Sequence, residues 1–181
     1  MNRRKFVAAL GSVATVTGIA KPARAEAHSA EKRLRELGIV LPDPAGPVAV
    51  YVPFRKSGNQ VFIAGQIPPL DADVPTVGKV GKELSVEQGY AAARLVGLKI
   101  LAQLRVACDG DLDRAVQAIQ IRGFVNCTAD FTAQPTVING VSELFRDVFG
   151  EAGLAARAAL GINALPLNAA VEVESIFEVR G

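Results

Sequence analysis

Apolar and polar positions change their period several times along this chain, and each change marks an element. From Val171 to Val179 they alternate, Val-Glu-Val-Glu-Ser-Ile-Phe-Glu-Val, which predicts a strand within the run Ala169 to Val179. Strand geometry sends the valines and Phe177 to one face and Glu172, Glu174, Ile176 and Glu178 to the other. Three carboxylates on one face require water or partners. A shorter apolar run with one arginine, Ala156 to Ile162, predicts another strand, joined to the last by Leu165-Pro166-Leu167-Asn168.

Upstream, Ser29 to Gly38 reads as a short helix stopped by glycine, and Pro42, Pro44 and Pro47 hold the following chain extended. Val48 to Phe54 and Gln60 to Gln66 read as two strands of a hairpin turning at Lys56-Ser57-Gly58-Asn59. The polar, Gly-containing stretch Asp71 to Leu84 is a loop. Ser85 and Gln88 form a capping-box pattern that opens a long helix through about Ala107, with Ala92, Leu95, Val96, Ile100 and Leu104 at helical spacing. Ala115 to Asn126 follows as a strand. Pro135 then starts a second long helix, with Val137, Val141, Leu144, Phe145 and Val148 on one face and Gly150 at its stop. The order β-β-α-β-α-β-β predicts an α+β domain, its helices laid on one face of a mixed sheet.

Composition changes this picture in three ways. A length of 181 residues, half of them apolar, suits one domain with a real core. The formal charge of +2 misleads: Arg3, Arg4, Lys5, Lys21 and Arg24 precede residue 26 and no acid does, which leaves 15 basic against 18 acidic residues, a net of −3. A mildly acidic domain is a poor binder of polyanions, so no nucleic-acid partner is expected. Finally, with His28 as the single histidine, near the start of the domain, the core can assemble no Ser-His-Asp, Cys-His or His-rich zinc site. Any catalysis must use Arg, Glu, Tyr, backbone groups and water.

Residues 1–25 combine a basic start, a moderately apolar stretch from Phe6 to Ala20, and Ala23-Arg24-Ala25 before Glu26. This predicts a signal peptide, cleaved after Ala25 or Ala27, and Arg3-Arg4-Lys5-Phe6-Val7 resembles a twin-arginine motif. The expected location is the periplasm, with no stable membrane anchor after cleavage. The organisation is then a leader over 1–25, a helix and Pro-rich lead-in over 26–46, and the main domain over 47–181. Cys108 late in a helix and Cys127 past the far end of the next strand read as two unpaired thiols despite the oxidising compartment.

Two tempting motifs fail. Gly78-Lys79-Val80-Gly81-Lys82 lacks the phosphate-loop pattern, with Thr76 where a glycine and Glu83 where a hydroxyl is needed. Asp109-Gly110-Asp111-Leu112-Asp113 lacks the calcium-loop pattern, with Arg114 at the turn glycine and Gln120 at the bidentate glutamate. The second reads as a solvated loop with helix-start acids.

What remains is a set of motifs: Tyr51, Ile63-Ala64-Gly65-Gln66-Ile67-Pro68, Asn139, Ala156-Arg157, Leu165-Pro166, and Val171-Glu172-Val173-Glu174. In order and spacing these resemble the RidA/YjgF/YER057c/UK114 family over Pro47 to Val179, with the lead-in from Leu34 to Pro53 similar to a longer subgroup. The resemblance implies a chorismate-mutase-like fold, a homotrimer with clefts between neighbouring subunits, and hydrolysis of reactive 2-imino or enamino acids to 2-keto acids and ammonia without metal or organic cofactor. It implies Arg157 as the carboxylate anchor, Glu172 as the group that activates water, Tyr51 and Gly65 lining the pocket, and Asn139 supporting it. The position two after Arg157, often cysteine in that family, is Ala159 here, which removes thiol chemistry at that site. The chemistry stands beside the likeness: guanidinium binds a carboxylate bidentately and stays charged, and a carboxylate can take a proton from water as ammonia leaves.

Each assignment has an alternative. Arg157 also reads as an ion-pair partner, Glu172 as one of a solvated acidic row, and Tyr51 and Asn139 as packing and capping residues. Two other functions stay open: a non-catalytic trimer that binds small carboxylates, in which Arg157 is essential and Glu172 dispensable, and an endoribonuclease, which the negative charge and lack of a histidine-lysine constellation disfavour.

Overall fold

The computed structural model describes residues 29–44, 46 and 49–181, so the expected leader and His28 lie outside the described residues. Three helices, α1 (Ala30–Glu36), α2 (Val86–Ala107) and α3 (Gln134–Phe149), accompany five strands: β1 (Phe54–Ser57), β2 (Gln60–Gln66), β3 (Ala115–Asn126), β4 (Ala156–Ile162) and β5 (Val171–Val179). The strands form one sheet in the order β1-β2-β5-β3-β4. β3 and β4 run parallel with α3 between them, and the other neighbours are antiparallel, giving the expected mixed α+β domain.

Long-range burial follows the sequence periods. On β5, Val171, Val173, Ser175, Phe177 and Val179 are buried while Glu172, Glu174, Ile176 and Glu178 are half-exposed on the other face. The buried face meets α2 and α3, where Phe177 packs against Phe145 and Phe149 with ring centroids 5.2 and 6.0 Å away. Burying rings of this size is the main apolar contribution at the centre of the core. α2 opens with the reciprocal capping box, Gln88 N–H donating to Ser85 Oγ at 3.2 Å and Ser85 N–H to Gln88 Oε1 at 2.8 Å. α3 has Pro135 in its first turn and no side-chain cap. The two long helices cross closely because Gly140 has no side chain: a Cβ there would lie 2.2 Å from the Tyr90 carbonyl oxygen and 2.9 Å from Arg94 N. That crossing fixes α3, and with it Asn139, against the sheet.

One strand differs from expectation. The first strand is Phe54–Ser57; of the expected run Val48 to Phe54, Val48 lies outside the described residues and residues 49–53 are not in a strand, and the turn is the two residues Gly58-Asn59 between the paired Ser57 and Gln60. Pro53 has no N–H to extend the ladder, and its carbonyl takes Ala64 N–H at 2.9 Å as the last link. Val50, Tyr51 and Val52 upstream are exposed, so burial gives them no reason to pair.

The loop and decoy segments are tied down by their own chemistry. The Lys79 ammonium donates to Asn126 Oδ1 at 3.0 Å, to the Cys127 carbonyl at 3.3 Å and to the Asn163 carbonyl, strapping the 71–84 loop across the ends of β3 and β4. In the acidic loop, Asp109 pairs with Arg114, Asp111 caps the turn at Leu112–Arg114, and Asp113 accepts from Ser29 Oγ at 2.8 Å and Glu31 N–H at 3.0 Å, anchoring α1. Cys108 and Cys127 are free and buried, and burial pushes the Cys108 thiol up. Among the described residues no helix is long and apolar enough to cross a membrane.

Candidate functional site

The three carboxylates on the open face of β5 meet different fates. Glu174 accepts from Arg122 Nε at 2.9 Å across the β3–β5 ladder. Glu178 accepts from Asn59 Nδ2 at 2.8 Å and Gln117 Nε2 at 2.7 Å. The Glu172 carboxylate has no ion pair or hydrogen bond with any described residue. Burial pushes its carboxyl above the ordinary range, and the neighbouring negative charge of Glu174 adds to the shift. Of the acidic row, Glu172 is the one carboxylate left with proton-transfer capacity unspent.

Its position depends on Gly65. The β2–β5 register breaks between Ile63 and Gln66, and Gly65 lies in that irregularity. A Cβ on Gly65 would sit 2.1 Å from Glu172 Oε1 and 3.0 Å from its Cδ. The close approach that a glycine inside a strand signals is therefore filled by the Glu172 carboxylate itself. Gly65 also lines an open cavity of about 220 Å³ with Tyr51, Ile67, Lys99 and Leu167. Lys99 reaches there from α2 and donates to the Ile67 carbonyl at 2.9 Å, and burial holds its ammonium below the usual lysine range.

Arg157 is elsewhere. It pairs in register with Ile121 on β3, a residue whose side chain is buried on the helix-covered face. Its Nη1 donates to Asn139 Oδ1 at 2.8 Å and Ser142 Oγ at 3.0 Å, both on α3. These acceptors are neutral: they orient the guanidinium and leave its charge uncompensated. Glu143, Arg146, Leu154 and Ala155 complete a cleft of about 270 Å³ around it. Glu143 is itself engaged by the Tyr90 hydroxyl, which donates to Oε2 at 2.7 Å and whose own ionisation is thereby pushed up.

The sequence-predicted residues thus fall into two groups. Tyr51, Gly65 and Glu172 gather at the β2–β5 end of the sheet; Arg157 and Asn139 gather at the β4–α3 edge. Glu172 pairs with Phe124 of β3 and Arg157 with Ile121, so they stand two strands and three residues apart. At standard sheet spacings that is about 14 Å between Cα atoms, with the side chains on opposite faces. A single chain cannot bring them to one small ligand. The sequence does not single out Ser142, Glu143 or Arg146, whose signal is their helical spacing of i+3, i+4 and i+7 from Asn139, nor Lys99, which carries no signal beyond its place on a helix.

Comparison with known proteins bears on this arrangement. A family model described as "YjgF/chorismate mutase-like, putative endoribonuclease" matches residues 31–179. The chain belongs to the YjgF/RidA-like family. It is 42% identical over 148 residues to "Protein TCP17" of Trypanosoma cruzi, covering 81% of this chain and 92% of that protein. Among solved structures, Atu1372 of Agrobacterium tumefaciens, titled as of unknown function, is 42% identical with a TM-score of 0.76, covering 83% of this chain and 92% of that one. A Shewanella oneidensis protein titled "a putative endoribonuclease" is 34% identical with a TM-score of 0.78 over 83% and 99% of the two chains. TdcF of E. coli, whose structure has bound serine, shares the fold at 24% identity and a TM-score of 0.51, covering 77% and 93%. The mixed α+β, chorismate-mutase-like fold expected for this YjgF/RidA-like chain is the one observed.

Proposed function

We propose that this protein hydrolyses reactive 2-imino or enamino acids to 2-keto acids and ammonia, in clefts between the subunits of a homotrimer. Arg157 and Asn139 of one subunit face Tyr51, Gly65 and Glu172 of its neighbour. The observation that carries the reading is the state of Arg157: a guanidinium fixed by two neutral acceptors, with its charge free for a carboxylate. The partnerless, elevated carboxyl of Glu172 supplies the second half of the chemistry.

The step balances without an oxidant. The substrate reacts as its protonated iminium: Glu172 as carboxylate takes a proton from water while the water oxygen bonds to the imine carbon, and the C=N π pair moves onto nitrogen to leave a neutral amine. The resulting carbinolamine expels ammonia: Glu172 returns its proton to the leaving nitrogen, and the carboxylate so freed takes the hydroxyl proton as the C–N bond breaks and the C=O bond forms, passing it on to water or to the ammonia. Water enters, ammonia leaves, and no electron acceptor is consumed. A raised carboxyl pKa suits both halves, since the group is a stronger base when ionised and a competent donor once protonated. The setting we propose is the periplasm, on the leader pattern of residues 1–25.

The same Arg157 geometry also suits a trimer that binds small carboxylates without chemistry, so the test separates the two. Imino acids are generated in situ by an amino-acid oxidase and trapped with semicarbazide, using the protein beside Arg157→Ala and Glu172→Gln. Accelerated imine loss that falls in both variants supports hydrolysis. Carboxylate binding lost in Arg157→Ala, retained in Glu172→Gln and unaccompanied by turnover would replace it with the binding reading. Cleavage of RNA, the activity named in the family description, has less support, because beyond residue 25 the chain has 15 basic against 18 acidic residues.

A further inference from the structure

The Arg157 cleft contains a second guanidinium that the reaction above does not use. Arg146 lies on α3 one turn beyond Ser142 and two turns beyond Asn139, on the same face as both, and it lines the same cleft of about 270 Å³. It is exposed, and its guanidinium makes no hydrogen bond or ion pair with any described residue. The one acid in the cleft, Glu143, does not neutralise it: Glu143 is held toward α2 by the Tyr90 hydroxyl. The next acid along the helix, Asp147, faces Arg94 at 3.8 Å. The wall of the cleft is otherwise Leu154 and Ala155, neither of which competes for an anion.

A substrate with one carboxylate satisfies Arg157 and leaves Arg146 in water. A substrate with a second carboxylate on its side chain satisfies both. We infer that the cleft selects 2-imino dicarboxylic acids and their 2-keto products, with Arg157 holding the carboxylate next to the imine carbon and Arg146 the distal one. The inference rests on the imine-hydrolase reading of Arg157. It adds the substrate class, and Arg146 as the residue that sets it.

The test uses the full chain and two probes that need no turnover, 2-oxoglutarate and 2-oxobutyrate, titrated by calorimetry, beside hydrolysis of the imines of glutamate and 2-aminobutyrate. The dicarboxylate is expected to bind more tightly and to turn over with the higher kcat/KM. Arg146→Leu reduces that preference by about tenfold or more, the scale of one charge-assisted pair, and Arg146→Lys restores part of it. Equal or weaker binding of the dicarboxylate, or a preference that survives Arg146→Leu, overturns the inference while hydrolysis of monocarboxylic imines leaves the broader reading standing. Failure of both keto acids to bind and of both imines to turn over removes the hydrolase reading and this inference with it.

Discussion

Adding one methyl group at Gly65 separates the proposed chemistry from the fold. The new Cβ would stand 2.1 Å from Glu172 Oε1, where a comfortable carbon–oxygen contact needs about 3.3 Å, so the carboxylate must withdraw by more than about 1 Å. It can do so cheaply, because the clashing atoms are the far end of a flexible side chain. The backbone of Gly65 is not in the left-handed region, so alanine is tolerated there, and it reduces the entropy of the unfolded chain by an amount worth about 0.4–1 kcal/mol. The gain and the rotamer cost nearly cancel. Gly65→Ala is therefore expected to keep its melting temperature within a few degrees while kcat/KM for imine hydrolysis drops about a hundredfold, the penalty for a catalytic group displaced by an ångström. The assay is semicarbazide-trapped imine loss beside scanning calorimetry. Full activity with unchanged stability would refute the placement of Glu172 as the water-activating group.

The same packing and burial set three further outcomes. Glu172 has a folded-state pKa raised above its unfolded value of about 4.5, so the native state holds that proton more tightly; its penalty is absent below the unfolded pKa and complete above the folded one. Glu172→Gln should accordingly raise the melting temperature relative to wild type at pH 7 and not at pH 4; the reverse order would show that a guanidinium across the proposed cleft more than offsets the cost of burying this carboxylate. Ser175 Oγ is buried without a hydrogen-bond partner among the described residues, so Ser175→Ala should stabilise by about 1 kcal/mol in denaturant unfolding, and a loss would reveal a missed partner. Gly140→Ala would drive a Cβ to 2.2 Å from the Tyr90 backbone oxygen, which cannot swing aside, and should cost about 2–3 kcal/mol; a neutral result would mean that the helix crossing is loose.

Much of the fold was legible because burial on one face imposes a period. The alternation of β5, the capping box of α2 and the apolar stripe of α3 each name their element from neighbours in sequence. Val48 to Phe54 looks strand-like by composition, whereas the pairing of β1 is decided by a two-residue turn and by the missing N–H of Pro53. The site was legible as residue types but not as geometry. Nothing local distinguishes Glu172 from Glu174 and Glu178. The distinction comes from Arg122, Asn59 and Gln117, which the sheet brings in from distant positions to engage the other two. Likewise, Arg157 and Glu172 stand on opposite faces because of the parallel register of β3 and β4, which only the folded pairing sets.

If Arg157 and Glu172 act on one ligand from neighbouring subunits, a mixed assembly of two inactive variants regains activity. Arg157→Ala and Glu172→Gln chains, each inactive alone, are unfolded, combined in equal amounts and reassembled. A cleft shared between subunits is then intact wherever a Glu172→Gln chain supplies the arginine and an Arg157→Ala chain supplies the glutamate, which random mixing gives in about a quarter of clefts. Recovery of about a quarter of wild-type imine hydrolysis is expected. A mixture as inactive as its two components, with mixed assemblies present by mass spectrometry, would contradict it.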